Sequence, residues 1–158
     1  MTFLKHRAER EMSILQNSDP TPSCYILDRG ILEDRHIFGQ NQISQGFMSE
    51  PEIHQYTSAF NDYVQLIDKP DIVIFLRADV DKLLQRIQGR GRDMETGIDY
   101  DYLASLQSLY DKLVLETIEK SDWPTKVLKY DTNGSQEKEV FERVIGDLKR
   151  VYPGLELN

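Results

Sequence analysis

Apolar residues along the chain fall into two patterns: stripes that repeat every three or four positions, and short unbroken runs. Stripes mark helices with one buried face. They predict a helix from Phe3 to Leu15, ended by the turn chemistry of Asn17-Ser-Asp-Pro-Thr-Pro22, and a helical stretch after Gly30 that reaches about Ile43. Ser49-Glu-Pro-Glu52 is a capping box with proline in the first turn, and it opens a helix whose apolar face is Ile53, Tyr56, Phe60, Tyr63, Val64 and Ile67. Asp79 is placed to cap a helix with Val80, Leu83, Leu84 and Ile87 on one face. Leu103, Leu106, Tyr110, Leu113 and Val114 mark another, and Val140, Val144, Ile145 and Leu148 the last.

The runs are Tyr25–Leu27, Ile72–Leu76 and Val127–Tyr130. Strands wetted on one face alternate, so these runs predict strands covered on both faces, as in a parallel sheet. The order α-β-α-α-β-α-α-β-α gives an α/β fold, a parallel sheet flanked by helices in a single domain over residues 1–158. Cys24 opens the first run and is expected to be a buried thiol.

Composition then narrows the function. The 158 residues sit near the prior of roughly 150 per domain, and one cysteine forms no intramolecular disulfide, which points to a reducing, cytoplasmic setting. No window approaches the ~20 apolar residues of a membrane span. A net charge of −8 would repel a polyphosphate backbone, which excludes a general nucleic-acid binder. His6, His36 and His54 lack metal-ligand spacing and read as ordinary polar residues. Trp123, beside Pro124, reads as packing at a helix end, and the Tyr56, Phe60 and Tyr63 stripe reads as core.

Against this acidic background, Arg86, Arg90 and Arg92 fall within seven residues, broken by Gly89 and Gly91 and followed by Glu95 and Gly97. Guanidinium forks match phosphate oxygens, and glycines free the backbone to close and open, so the segment reads as a phosphate-clamping lid. It leaves a βα unit, and ligands of open α/β sheets gather at the carboxyl ends of strands. At the end of the first run, the Asp28 carboxylate suits a magnesium ion held directly or through water, and Arg29 suits a phosphate or a reacting oxygen. Asp34, six positions on, suits a nucleobase amino group if its helix faces the pocket.

Asp28-Arg29-Gly-Ile-Leu-Glu-Asp34-Arg35-His-Ile-Phe, Gly46-Phe-Met-Ser-Glu, Pro70-Asp-Ile-Val-Ile-Phe-Leu-Arg and Arg90-Gly-Arg92-Asp-Met-Glu95-Thr-Gly97-Ile together resemble the deoxynucleoside kinases of the deoxyguanosine, deoxyadenosine and deoxycytidine kinase group. The likeness runs from about Phe3 to the last helix. It implies a P-loop kinase-like fold and transfer of the γ-phosphoryl group of ATP, with Mg2+, to the 5′-hydroxyl of a deoxyribonucleoside. By position it assigns Asp28 to magnesium, Arg29 to the 5′-hydroxyl and phosphates, and Asp34 to the nucleobase. Arg86, Arg90 and Arg92 fall to the donor phosphates, Glu95 to the sugar 3′-hydroxyl, and Asp131-Thr-Asn133 to the loop beneath the donor base. The resemblance also implies dimerisation through helices of this kind.

Two departures stand out. Gly30 occupies a place that the family usually fills with serine. No Gly-x-x-x-x-Gly-Lys-[Ser/Thr] occurs, although the family wraps donor phosphates with that loop. Phe3-Leu4-Lys5-His6-Arg7 resembles the part of a family helix just after a base-reading glutamine, so the expectation is a member without its amino-terminal third, incompetent alone and with a gap between its first two strands. The alternative expectation is a non-catalytic binding or dimerising module.

Overall fold

The computed structural model describes residues 2–16 and 24–154. The expected turn at Asn17–Pro22 lies outside the described residues. Two compact units make up the chain, residues 1–70 with 105–124 and residues 71–104 with 125–158.

The first unit is helical. Helix α1 covers Thr2–Gln16. Helix α2, residues 31–44, opens with one α-helical turn at Ile31–Glu33, widens to a π-helix at Asp34–Gly39 and returns to α-helix at Gln40–Ser44. Such π-helical stretches are rare and concentrate at functional sites. Helix α3 covers Glu50–Val64 and starts at the expected box, where Glu52 Oε2 accepts the Ser49 amide at 2.9 Å and the Ser49 hydroxyl at 2.6 Å. Leu4 and Ala8 of α1, Ile31 of α2, and Tyr56 and Phe60 of α3 form one core, each pair within a helix one turn apart. His36 is half-buried with its ring edge-on to Phe60, and burial, then Arg35 and Lys112, lower its pKa. Lys69 lies 4.5 Å from the centre of the Trp123 ring.

Helix α5, residues 100–118, is α-helix at Tyr100–Asp111 and π-helix at Lys112–Ile118, and its residues from Ser105 onward belong to the first unit. There Leu113, Val114 and Ile118 are buried, and the Ser105 hydroxyl donates to Asn41 Oδ1 at 2.8 Å.

The second unit carries the sheet. Strands β1, Ile72–Arg77, and β2, Lys126–Asp131, pair in parallel with Ile72 opposite Lys126 and Arg77 opposite Asp131. Helix α4 covers Val80–Arg90 and helix α6 covers Glu137–Val151. The Tyr130 hydroxyl donates to Asp147 Oδ2 at 2.7 Å, which fixes α6 to β2. Burial first, then the Asp147 carboxylate, pushes the pKa of that phenol up to about 12. No helix among the described residues is long and apolar enough to cross a membrane.

Two expectations fail. Tyr25–Leu27 is not a strand: it carries no ladder among the described residues, and Ile26 is 73% exposed. An apolar run states a need for cover on both faces, but a strand exists only when a neighbour accepts its amides and carbonyls. Cys24, at the start of that run, is exposed for the same reason.

Leu4 is 1% exposed at the centre of the first unit's core. Leu4→Ala is expected to cost about 3 kcal/mol, seen as a lower urea midpoint at unchanged slope.

Candidate functional site

The turn that joins residue 27 to α2 is held from several directions. Arg29 adopts the left-handed conformation at φ +65°, which residues with a Cβ rarely occupy. Its carbonyl accepts from Arg7 at 3.4 Å and from Arg10 at 3.1 Å, both on α1. Glu33 Oε2 accepts the next amide, Gly30, at 2.9 Å, and buried Glu11 Oε1 accepts the Ile31 amide at 2.7 Å. Glu11 has a raised pKa, because burial disfavours the carboxylate more than the Ile31 bond, Arg10 and Arg7 favour it, and Glu33 adds to the rise. A Cβ at Gly30 would meet Glu11 Oε1 at 2.9 Å, so a larger residue there would require the carboxylate to shift.

Beyond the turn, Asp34 is buried at the first position of the π-helix. Arg7 Nε lies 3.2 Å from Asp34 Oδ1, and the Tyr56 hydroxyl donates to the Asp34 carbonyl at 2.8 Å and to Oδ2 at 3.3 Å. Burial and the Asp34 charge raise the Tyr56 pKa, so this phenol stays a donor. The Arg7 Nε–H is buried and not aligned for a hydrogen bond with any protein acceptor. Arg7, Arg29, Asp34, Phe38 and Tyr56 line a cavity of about 230 Å³, with the Arg29 guanidinium 4.9 Å from the centre of the Phe38 ring. Asp28 is exposed, and no three His, Cys, Asp or Glu side chains cluster among the described residues. A lone carboxylate suits magnesium that arrives on nucleotide phosphates and keeps most of its waters.

In the second unit, α4 ends at Gly91, left-handed at φ +60°, whose amide donates to the Ile87 and Gln88 carbonyls. Past it, Glu95 gathers Arg90 at 3.3 Å and Arg92 at 3.6 Å. Arg86 does not join this group: it donates to Thr132 Oγ1 at 3.1 Å and to the Thr132 carbonyl. Asp131 Oδ1 accepts the Asn133 amide at 2.8 Å, and Asn133 Oδ1 accepts the Asp79 amide at 2.8 Å, so Asn133, rather than the Asp79 side chain, meets a donor at the start of α4. Thr132 is buried and also donates its hydroxyl to the Arg77 carbonyl at 3.0 Å.

A sequence profile described as deoxynucleoside kinase matches residues 1–152. The chain belongs to the deoxynucleoside kinase family. A deoxyguanosine kinase of Dictyostelium discoideum is 33% identical over 114 residues, 72% of this chain and 40% of that protein. A deoxyadenosine/deoxycytidine kinase of Bacillus subtilis is 30% identical over 114 residues, 71% of this chain and 51% of that protein. The chain thus spans about half the length of these relatives. The structure of deoxyadenosine kinase from M. mycoides with bound dATP matches with a TM-score of 0.68 at 22% identity, over 94% of this chain and 73% of that one. The shared fold is the α/β fold of P-loop kinases.

In this member of the deoxynucleoside kinase family, the residues named from sequence form two sets. Arg29 and Asp34 share the first unit's cavity, whose lining does not include the exposed Asp28; in the second unit Arg90 and Arg92 pair with Glu95, with Arg86, Asp131 and Asn133 in a neighbouring network. Sequence reasoning gave no site role to Arg7, Glu11 or Tyr56. A charged residue on a helix otherwise apolar at its spacing, as Glu11 is between Ala8 and Met12, was the available signal.

Removing one partner of a buried ion pair leaves the other charge uncompensated. With the Arg7 side chain 24% exposed, Asp34→Ala is expected to cost about 2–4 kcal/mol in chemical denaturation. Glu11 gives a pH signature. Its folded pKa is raised, so its contribution to stability is fully present below the unfolded pKa and is lost as pH rises through the folded one. Glu11→Gln is therefore expected to be more stable than the native chain at neutral pH, with the difference shrinking as pH falls through the raised pKa.

Proposed function

We propose that the first unit's cavity is the acceptor site of a deoxynucleoside kinase that transfers the γ-phosphoryl group of ATP to the 5′-hydroxyl of a deoxyribonucleoside. The observation that carries this reading is the Arg7–Asp34 ion pair, which lines a cavity together with Arg29, Phe38 and Tyr56. Asp34 takes a nucleobase donor and Arg7 gives to the adjacent acceptor. The edges of adenine, cytosine and guanine each offer such a neighbouring pair. In the transfer, the bond from O5′ to phosphorus forms, the bond from phosphorus to the departing nucleoside diphosphate breaks, and the hydroxyl proton passes to solvent water. Arg29 neutralises the entering oxygen and the phosphoryl group; one such arginine is worth about 10³–10⁵ in related transfers. Asp28 would hold magnesium through its waters, and the ion would offset charge on the donor phosphates. Arg90 and Arg92, paired with Glu95, form a separate phosphate-binding element of the second unit.

Calorimetric titration of each common deoxynucleoside into the full chain tests the acceptor site. Saturable binding of at least one is expected, with base preference altered in Asp34→Asn; no binding by any would overturn the reading. The lid has its own check. Arg90→Ala with Arg92→Ala is expected to weaken triphosphate binding about tenfold at low salt and much less at high salt, since exposed charges are screened over roughly 8 Å at physiological ionic strength. Donor phosphates also need a backbone cradle, and no such glycine-lysine motif is in the sequence. Turnover by these residues alone is accordingly expected below about 0.1 s⁻¹, and binding without turnover favours the binding-module role.

A further inference from the structure

We propose that Glu11 is a positioning residue for Arg29: by accepting the Ile31 amide it holds the turn in the conformation that sets the Arg29 guanidinium against Phe38 at the cavity. Three observations converge on this. Arg29 sits at φ +65° although it has a Cβ, and such a conformation persists only where the surroundings over-determine it. Both peptide groups that follow Arg29 are held: the first by Arg7 and Arg10 at its carbonyl and Glu33 at its amide, the second by Glu11 at its amide. The approach of Glu11 is so close that a Cβ at Gly30 would lie 2.9 Å from its oxygen, which couples the identity of residue 30 to the carboxylate on α1.

An apolar side chain would fill the same space without the penalty of a buried charge. Glu11 keeps the charge beside Glu33, with Arg7 and Arg10 as its compensating cations. These are the charged groups that face it from α1 and α2. The same two arginines donate to the Arg29 carbonyl. Glu11 acts through the backbone and touches no substrate. Its role in binding rests on the acceptor-site reading, whereas its hold on Arg29 does not.

The test has two readouts on the full chain. NMR of labelled protein gives the Arg29 backbone φ, from its amide coupling and carbon shifts, and the Nε–Hε resonance of its guanidinium. Calorimetry compares deoxyadenosine with deoxyadenosine 5′-monophosphate, whose phosphate reports on Arg29. In Glu11→Leu, Arg29 is expected to leave the left-handed region, and the affinity for the monophosphate to fall about tenfold while that for the nucleoside changes less than about twofold. Glu11→Gln retains the acceptor oxygen and should behave as the native chain in both. If Glu11→Leu does not fold, Gly30→Ala decides, because its methyl group displaces the Glu11 oxygen and should move Arg29 in the same way. An unchanged Arg29 φ and Nε–Hε resonance in the folded variant, or a Gln variant that fails as Leu does, overturns the proposal. Should the native chain bind neither ligand, the acceptor-site reading falls, and the Arg29 resonances alone decide the role of Glu11.

Discussion

The buried carboxylate of Asp34 is the interaction around which the first unit is arranged. Taking an ion out of water costs several kcal/mol even after relaxation, and attraction offsets that only with good geometry and satisfied lone pairs. Arg7 on α1 supplies the opposite charge and Tyr56 on α3 the hydrogen bonds, so three helices that share an apolar core also share one polar centre. Close approach is part of the arrangement. A Cβ at Gly39 would lie 2.6 Å from Tyr56, so α2 reaches α3 at a glycine.

That centre explains why the neighbouring turn tolerates an unfavourable backbone. Arg7 serves two purposes, pairing with Asp34 and donating to the Arg29 carbonyl, and the same helix face contributes Arg10 and Glu11. Stability and site geometry therefore draw on the same side chains, which is the usual circumstance in which strain is kept at a functional position.

The second unit divides its arginines by purpose. Arg86 is half-buried and committed to Thr132, inside a network that also meets the start of α4 through Asn133. Arg90 and Arg92 are exposed and paired with Glu95 at distances and exposures where an ion pair contributes little, roughly 0–1 kcal/mol. Such exposed pairs are broken at small cost, whereas the Arg86 contacts are held inside a network.

The helices and the capping box of α3 were legible in the residues themselves, because the spacing of apolar positions and the Ser49–Glu52 box are local properties of the chain, whereas the Asp79 side chain makes no cap bond. The parallel pairing of Ile72–Arg77 with Lys126–Asp131 was legible too, since a continuous apolar run marks cover on both faces. The same rule misread Tyr25–Leu27, because the run expresses a demand for a neighbour and only the tertiary structure states whether one is there. Partners were hidden for a related reason. Arg7 meets Asp34, and Glu11 meets Ile31, across 27 and 20 positions of chain, and distance along the chain says nothing about which faces of two helices will meet. Residue types and their local spacing determined the elements and the chemistry on offer; packing decided which charges were buried together, and thereby which of them form a site.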